Sequence, residues 1–380
     1  MKRFIWPNST GIVFLIVYND IINLSRGEKM AKEIRFGLSA PMPGADLNGL
    51  LAFSKRADQL GFDSIWYPDH VVFVSPTEAH EAWTIATAAA GITNNITLGT
   101  VSDPHRMHPA VFAQRLATID HLSKGRVSLC MGVGESMNLD AYGIKWNKPL
   151  SRLRESMEIM RKLWQEEGHI NYDGNFYNLK SAFLQVKPYK RKLIPMYMAT
   201  HTPKGLEFTG QMADGWLPID LTPGLYSEYL SQIKDSAKKA DRSLDSFDAC
   251  LWSFTSLGKD VDDAYKPLEP FKYVLIMQDQ LKKAGYDVEI PEEYHGLNYF
   301  NVVPQDEAGR QKFRDIGKFF PREAVLDFTI TGSKKDCIEK IEKFIDSGVN
   351  HFVLFYRFSP DPEVTLSTYA KEIIPYFKDK

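Results

Sequence analysis

The feature that most constrains this 380-residue chain is an alternation that begins after residue 30. Short β-rich runs end in polar or glycine-rich tips, and amphipathic stretches follow them. Runs with strand character are 33–39, 63–67, 96–101, 126–133, 195–199, 214–219, 246–257 and 350–356. Apolar residues between them recur at helical spacing. Leu47, Leu50, Leu51, Ala57 and Leu60 share one face, as do Phe112, Leu116 and Ile119. Leu153, Met157, Met160 and Trp164 form another, and Ile338, Ile341 and Ile345 a fourth. A last helix over about 361–377 closes the series. Eight strands each followed by a helix is the arithmetic of a closed parallel β/α barrel. An open doubly wound sheet is the alternative. It fits less well because no Gly-rich dinucleotide fingerprint follows the first strand, which runs into Pro41-Met42-Pro43-Gly44.

Two stretches interrupt the pattern. Residues 168–180 read as a small hairpin with Asp173-Gly174 as its turn. Residues 259–327 are long, polar and rich in Pro, Asp and Tyr, and read as an inserted lid between strands seven and eight. Residues 1–30 stand outside the alternation. Gly11 to Tyr18 is apolar but far too short to span a bilayer, and no small-residue cleavage site follows it. The reading is a disordered or non-core leader, with a single barrel domain over 31–380.

Charge and cysteine content remove several function classes. Lys plus Arg is 46 and Asp plus Glu is 48, a formal net charge of −2, with no basic footprint for nucleic acid or a membrane surface. The three cysteines, Cys130, Cys250 and Cys337, are odd in number and widely spaced. They predict buried thiols in a reducing cytoplasm, with no disulfide framework and no metal site.

In a barrel of this kind the chemistry lies at the C-terminal ends of the strands. Strand two ends at Tyr67-Pro68-Asp69-His70, which places an imidazole suited to proton transfer at the mouth. The plainer alternative is a capping Asp beside a packed His. Strand three ends at Gly99-Thr100-Val101-Ser102-Asp103, where small side chains leave room for a flat ring. Strand four ends at Gly132-Val133-Gly134-Glu135, then Ser136-Met137-Asn138. Its glycines let backbone approach a ligand and deliver one carboxylate to face His70. Strand five ends at Thr200-His201-Thr202-Pro203-Lys204, where Thr202 caps a helix with Pro203 at its first position. A helix start with hydroxyls and a Lys nearby is a phosphate seat, although a weak signal alone.

Taken together these motifs resemble the luciferase-like superfamily. The strings that carry the resemblance are Gly61-Phe62-Asp63-Ser64-Ile65-Trp66 with Asp69-His70, Arg106-Met107-His108-Pro109-Ala110 with Gln114, Gly132-Val133-Gly134-Glu135, and Ala213-Asp214-Gly215-Trp216. Asp69-His70 and the Gly-Val-Gly-Glu run are similar to its coenzyme F420-dependent branch. Tyr142 to Pro149, Lys187-Pro188-Tyr189 and Ala199-Thr200-His201 are similar to the ketoreductases within that branch.

The resemblance covers about residues 33–378 and implies a (β/α)8 TIM barrel of the bacterial luciferase-like type, with an insertion between strands 7 and 8. It implies an oxidoreductase moving a hydride between coenzyme F420 and an organic carbonyl, alcohol or methylene substrate. His70 and Glu135 take the catalytic positions. Asp69, Thr100, Val101, Asp103, Asn138, Thr200, His201 and Thr202 fall at cofactor positions, the three last where many relatives have glycines. Thr100-Val101 falls where the family places a bulge with a non-proline cis peptide, a bond costing about 3–4 kcal/mol. A homodimer acting on a small-molecule substrate is also implied. An FMN-dependent monooxygenase on the same barrel and a non-catalytic flavin-binding barrel are the alternatives. No motif names the substrate. Trp252, Phe254, Tyr294 and Phe300 hint at an apolar or planar one.

Overall fold

The computed structural model describes residues 33–42, 44–73, 78–297 and 306–378. The 1–30 leader, Phe300 and residues 298–305 of the insertion lie outside them. The strands are β1 Arg35–Ser39, β2 Ser64–Pro68, β3 Thr97–Ser102, β4 Val127–Met131, β5 Ile170–Asp173, β6 Asn178–Ala182, β7 Met196–Met198, β8 Gly215–Trp216, β9 Asp248–Leu257, β10 Ile330–Gly332 and β11 His351–Phe355. Parallel pairing runs β1, β2, β3, β4, β7, β8, β9, β11 and back to β1. The sheet therefore closes on eight strands, as the alternation requires.

Four details differ from expectation. β10 is an additional strand, paired with Thr255 to Leu257 at the far end of β9. The ten residues of β9 are long enough to serve β8, β11 and β10 in turn. The hairpin turn is not Asp173-Gly174 alone. Asp173 still pairs with Asn178, and the loop is Gly174 to Tyr177. Glu155 explains this, because its carboxylate accepts the backbone N–H groups of Asn175 (2.8 Å), Phe176 (2.9 Å) and Tyr177 (3.3 Å). Leu47 stands at the exposed start of its helix rather than on the buried face held by Leu50 and Ala57.

The fourth difference is at Thr100-Val101. No cis peptide bond occurs among the described residues. β3 keeps an unbroken register with β2, from Thr97 opposite Ser64 to Val101 opposite Pro68, and with β4 up to Ser102 opposite Met131. A ladder that is regular on both sides has no extra residue to form a bulge.

Register also sorts the strand residues into two faces. Tyr67 donates to, or accepts from, Ser54 of the helix Leu47–Gln59 at 2.8 Å, so its face looks into the strand–helix layer. Trp66 belongs to the inner set with Cys130, Tyr197, Leu217, Cys250 and Val353. Gly99 lies opposite Trp66, and a Cβ there would sit 2.2 Å from the indole, so the inner Trp requires a glycine.

A buried polar network fills the base of the barrel. Tyr197 Oη donates to Asp248 Oδ2 (2.9 Å), which also pairs with His351 Nδ1 (3.0 Å). His351 Nε2 meets Ser64 Oγ (2.8 Å), which accepts the Trp66 indole N–H (3.1 Å). Arg35 forms an ion pair with Asp248. Burial alone would raise the Asp248 carboxyl, but His351 and Arg35 hold it far below the usual carboxylate range. Cys250 Sγ lies 3.6 Å from His351 Nδ1, so Asp248, Cys250 and His351 converge although no sequence spacing announces it. All three cysteines are buried and unpaired.

The insertion is helical. Val261–Tyr265, Lys272–Leu275, Gln278–Lys283, Glu307–Ile316 and Arg322–Phe328 bury Leu268, Leu275, Leu281, Phe313, Ile316 and Val325. Phe271 stacks on Phe358 at 4.2 Å, and Gln280 accepts from Tyr229 at 3.2 Å, which ties the insertion to the barrel. No helix among the described residues is long and apolar enough to cross a membrane.

Candidate active site

Three expected residues come together at the tips of β2 and β4. His70 follows β2, and Glu135 follows the Gly132-Val133-Gly134 tip of β4. Gly134 has φ 81°, and a Cβ there would meet Leu139 at 3.0 Å and Asp103 at 3.2 Å, so this turn favours glycine on two counts. Trp146 steadies it by donating its indole N–H to the Val133 carbonyl at 2.9 Å. His70 Nε2 is 3.7 Å from Glu135 Oε1. Asn138, on the short helix Ser136–Leu139, is 1% exposed and bridges the pair. Its Nδ2 donates to Glu135 Oε2 (3.0 Å) and approaches His70 Nδ1 (3.2 Å). Its Oδ1 accepts the backbone N–H groups of Val71 (2.7 Å) and Val72 (3.0 Å). Phe73 lies parallel to the imidazole at 4.7 Å and covers one ring face.

Asp69 and Asp103 meet at Arg106. The guanidinium donates to Asp103 Oδ2 (2.5 Å), to the Asp69 carbonyl (2.5 Å) and to Asp69 Oδ1 (3.3 Å). The side chains are 18%, 6% and 10% exposed for Arg106, Asp103 and Asp69. Burial would raise the Asp103 carboxyl, but His105 and Arg106 pull it down to about 2. For Asp69 burial outweighs Arg106, and its carboxyl lies above the ordinary value. One cation thus faces two acids whose carboxyls are shifted in opposite directions. The Asp69 N–H also donates to the Val101 carbonyl (3.0 Å), joining the tips of β2 and β3.

The other expected residues are placed apart from this cluster. Val101 packs against the inner set with Ala199 and Trp252. Thr100 shares the register of Tyr67 and Leu129, so its side chain enters the strand–helix layer and only its backbone borders the interior. Thr202 caps the helix Pro203–Met212 by accepting from the Gly205 N–H (3.2 Å), and Thr200 Oγ1 is 3.4 Å from Thr202 Oγ1. His201 lines a cavity of about 240 Å³ with Pro203, Leu225, Tyr229, Gln232 and Lys283. Burial, aided by Lys283, lowers its imidazole to about 4. His70, Glu135 and Asn138 do not line that cavity. The aromatic residues divide as well. Trp252 and Phe254 meet edge to face at 4.7 Å on β9, whereas Tyr294 packs on Phe319 inside the insertion.

Several strand-tip polar groups have no partner among the described residues: Ser39 Oγ, His201 Nε2 and both oxygens of Asp220. Asp220 follows β8 with φ 55° and is 3% exposed, and burial pushes its carboxyl well above the ordinary range. Unsatisfied buried polar groups are uncommon in proteins, so each of these remains open to a ligand or an ordered water. A Cβ on Gly132 would make only ordinary contact with Ala199, at 3.9 Å. Arg106, Phe73 and Asp220 are the site residues that sequence reasoning missed. Arg106 lies inside a quoted motif, and a lone Asp in the apolar run Leu217-Pro218-Ile219-Asp220-Leu221 was the signal for the third.

The chain as a whole is similar to several known proteins. The 5,10-methylenetetrahydromethanopterin reductase of Archaeoglobus fulgidus is 29% identical over 351 residues, covering 91% of this chain and all of that protein. The phthiodiolone/phenolphthiodiolone dimycocerosates ketoreductase of Mycobacterium bovis is 28% identical over 352 residues, covering 85% and 90%. The solved coenzyme F420-dependent tetrahydromethanopterin reductase of Methanopyrus kandleri superposes with a TM-score of 0.77 at 26% identity, covering 91% of this chain and 100% of that one. An F420-dependent secondary alcohol dehydrogenase shares the fold with a TM-score of 0.76 at 23% identity, covering 91% and 99%. Residues 30–351 match the family described as luciferase-like monooxygenase. The eight-stranded barrel and the span of that match make the chain a member of the luciferase-like family.

Proposed function

We propose that this protein is a coenzyme F420-dependent oxidoreductase that transfers a hydride between bound deazaflavin and an organic substrate at a carbonyl, alcohol or methylene carbon. The observation that carries the reading is the pairing of His70 with Glu135 through Asn138 at the mouth. The coenzyme F420-dependent tetrahydromethanopterin reductase and the F420-dependent secondary alcohol dehydrogenase named above support the choice of cofactor. The residues fit such a group. Val101, the Thr100 backbone, Asp69, Asp103 and Asn138 would hold one side of it, and Thr200, His201 and Thr202 at the start of a helix would suit an anionic tail.

A bound deazaflavin supplies or accepts the hydride. The chain's own residues handle the proton. When hydride reaches a carbonyl carbon, the oxygen must take a proton, and in this reading His70 donates it. Glu135, 3.7 Å away, replaces that proton or receives it in the reverse direction. Arg106 holds the Asp69 carbonyl and so fixes the strand end from which His70 projects. In this reading, water exclusion falls to the insertion.

The test follows deazaflavin absorbance with secondary alcohols, ketones and reduced pterins as candidate substrates. Wild-type protein turns over at least one class. His70→Ala loses on the order of 10²-fold or more in kcat while it still binds cofactor. A His70→Ala variant as fast as wild type would remove His70 from the chemistry.

A further inference from the structure

We infer that Asn138 is a positioning residue that holds neutral His70 as its Nε2–H tautomer, with that proton on the Glu135 side of the ring. The inference begins with the amide. Its orientation is not free, because Oδ1 faces the N–H groups of Val71 and Val72 at 2.7 and 3.0 Å. A backbone N–H can only donate, so the atom facing two of them must be the oxygen. The NH2 group is thereby turned toward His70 Nδ1 and Glu135 Oε2, at 3.2 and 3.0 Å. An amide N–H can only donate as well. Nδ1 must offer its lone pair, and the single proton of a neutral imidazole goes to Nε2.

Nε2 is the nitrogen 3.7 Å from Glu135 Oε1. The same NH2 group spends its other hydrogen on the second oxygen of that carboxylate. Asn138 therefore orients both members of the pair at once. It is 1% exposed, so water does not compete for these bonds. Its own N–H donates to the Glu135 carbonyl at 3.0 Å, which sets the amide on the same turn as the acid. In sequence it stands 68 residues from His70, and the link exists only because the β2 and β4 tips converge. The chemical consequence rests on the function proposed above: the proton given to substrate leaves from Nε2, the nitrogen that Glu135 can recharge.

The test reads the tautomer itself and needs neither cofactor nor substrate. Protein labelled with 15N-histidine is examined by NMR at about pH 9, above the ordinary histidine range of about 6.5. His70→Asn identifies the resonances among the nine histidines. Wild type is expected to show a pyridine-like Nδ1 and a pyrrole-like Nε2. In Asn138→Asp one oxygen still accepts from Val71 and Val72, but the NH2 donor has become an acceptor. Nδ1 then takes a proton and loses its pyridine-like signal. Asn138→Ala, which removes donor and acceptor alike, gives a mixture of the two tautomers. A pyrrole-like Nδ1 in wild type, or an unchanged tautomer in Asn138→Asp, overturns the inference. The wild-type spectrum alone already decides the first point, whatever the variants do to folding. A swap of tautomers in a protein that turns over no deazaflavin substrate upholds the lock while refuting the proposed function.

Discussion

Replacing Arg106 by Met should expose how strongly the β2 and β3 tips depend on one buried cation. The guanidinium is 18% exposed and faces two carboxylates that are 10% and 6% exposed. Asp103 alone gives a scale. Its carboxyl is held at about 2 against an ordinary 3.8, and at 1.36 kcal/mol per unit that is about 2 kcal/mol, shared between His105 and Arg106. Stranding the second carboxylate adds to this, and removal of one partner from a buried ion pair costs about 3–5 kcal/mol.

The sign with pH follows from the direction of the shift. A depressed carboxyl stabilises the fold above its unfolded value near 4, and this is lost as pH falls toward 2. Without Arg106 both acids titrate upward, so the variant instead loses stability as pH rises. The deficit of Arg106→Met against wild type should therefore be largest near pH 8 and shrink toward pH 4. Urea unfolding at pH 8 and pH 4.5 measures it. A deficit below about 1 kcal/mol at pH 8, or one of equal size at both values, would refute the assignment of Arg106 as the shared counter-charge.

Two further outcomes follow from the same coordinates. Gly99→Ala places a Cβ 2.2 Å from the Trp66 ring, and a thermal melt should report a loss of about 1–3 kcal/mol or more, with an unchanged melting temperature counting against the packing described for the inner face. Asp220→Asn should stabilise the protein: burial raises this carboxyl, the unfolded chain ionises above about 4 while ionisation in the folded chain is disfavoured, and wild-type stability therefore falls as pH rises from 4. The gain in Asp220→Asn should be small at pH 4 and about 1–3 kcal/mol at pH 8, and a variant no more stable than wild type at pH 8 would show that the acid has a partner.

The barrel was legible because its signal is repeated eight times, and each strand end lies within a few residues of a turn or helix signal. Strand lengths were less so. The run 214–219 contributes only Gly215–Trp216 as strand, since Pro218 has no N–H to extend the ladder. β10 was missed because three residues carry no periodicity. Within the site, residue types at the tips were readable but their partners were not. His70 and Glu135 were expected to face each other. That Asn138 joins them depends on which way an amide turns, and that is set by two backbone N–H groups brought near by folding. Arg106 was visible as a cation in a motif, but its two carboxylates stand 3 and 37 residues away. The Ser64, Asp248 and His351 network spans 287 residues at its widest, beyond the reach of any local pattern.

The most direct test of the account is an equilibrium titration of the purified protein with oxidised coenzyme F420 and, separately, with FMN, each followed by its own fluorescence. The account predicts saturable binding of F420 with little for FMN, retained in His70→Ala. Preference for FMN would contradict it and turn the search toward oxygen-consuming chemistry, and failure to bind either would remove the barrel mouth as a flavin-type site.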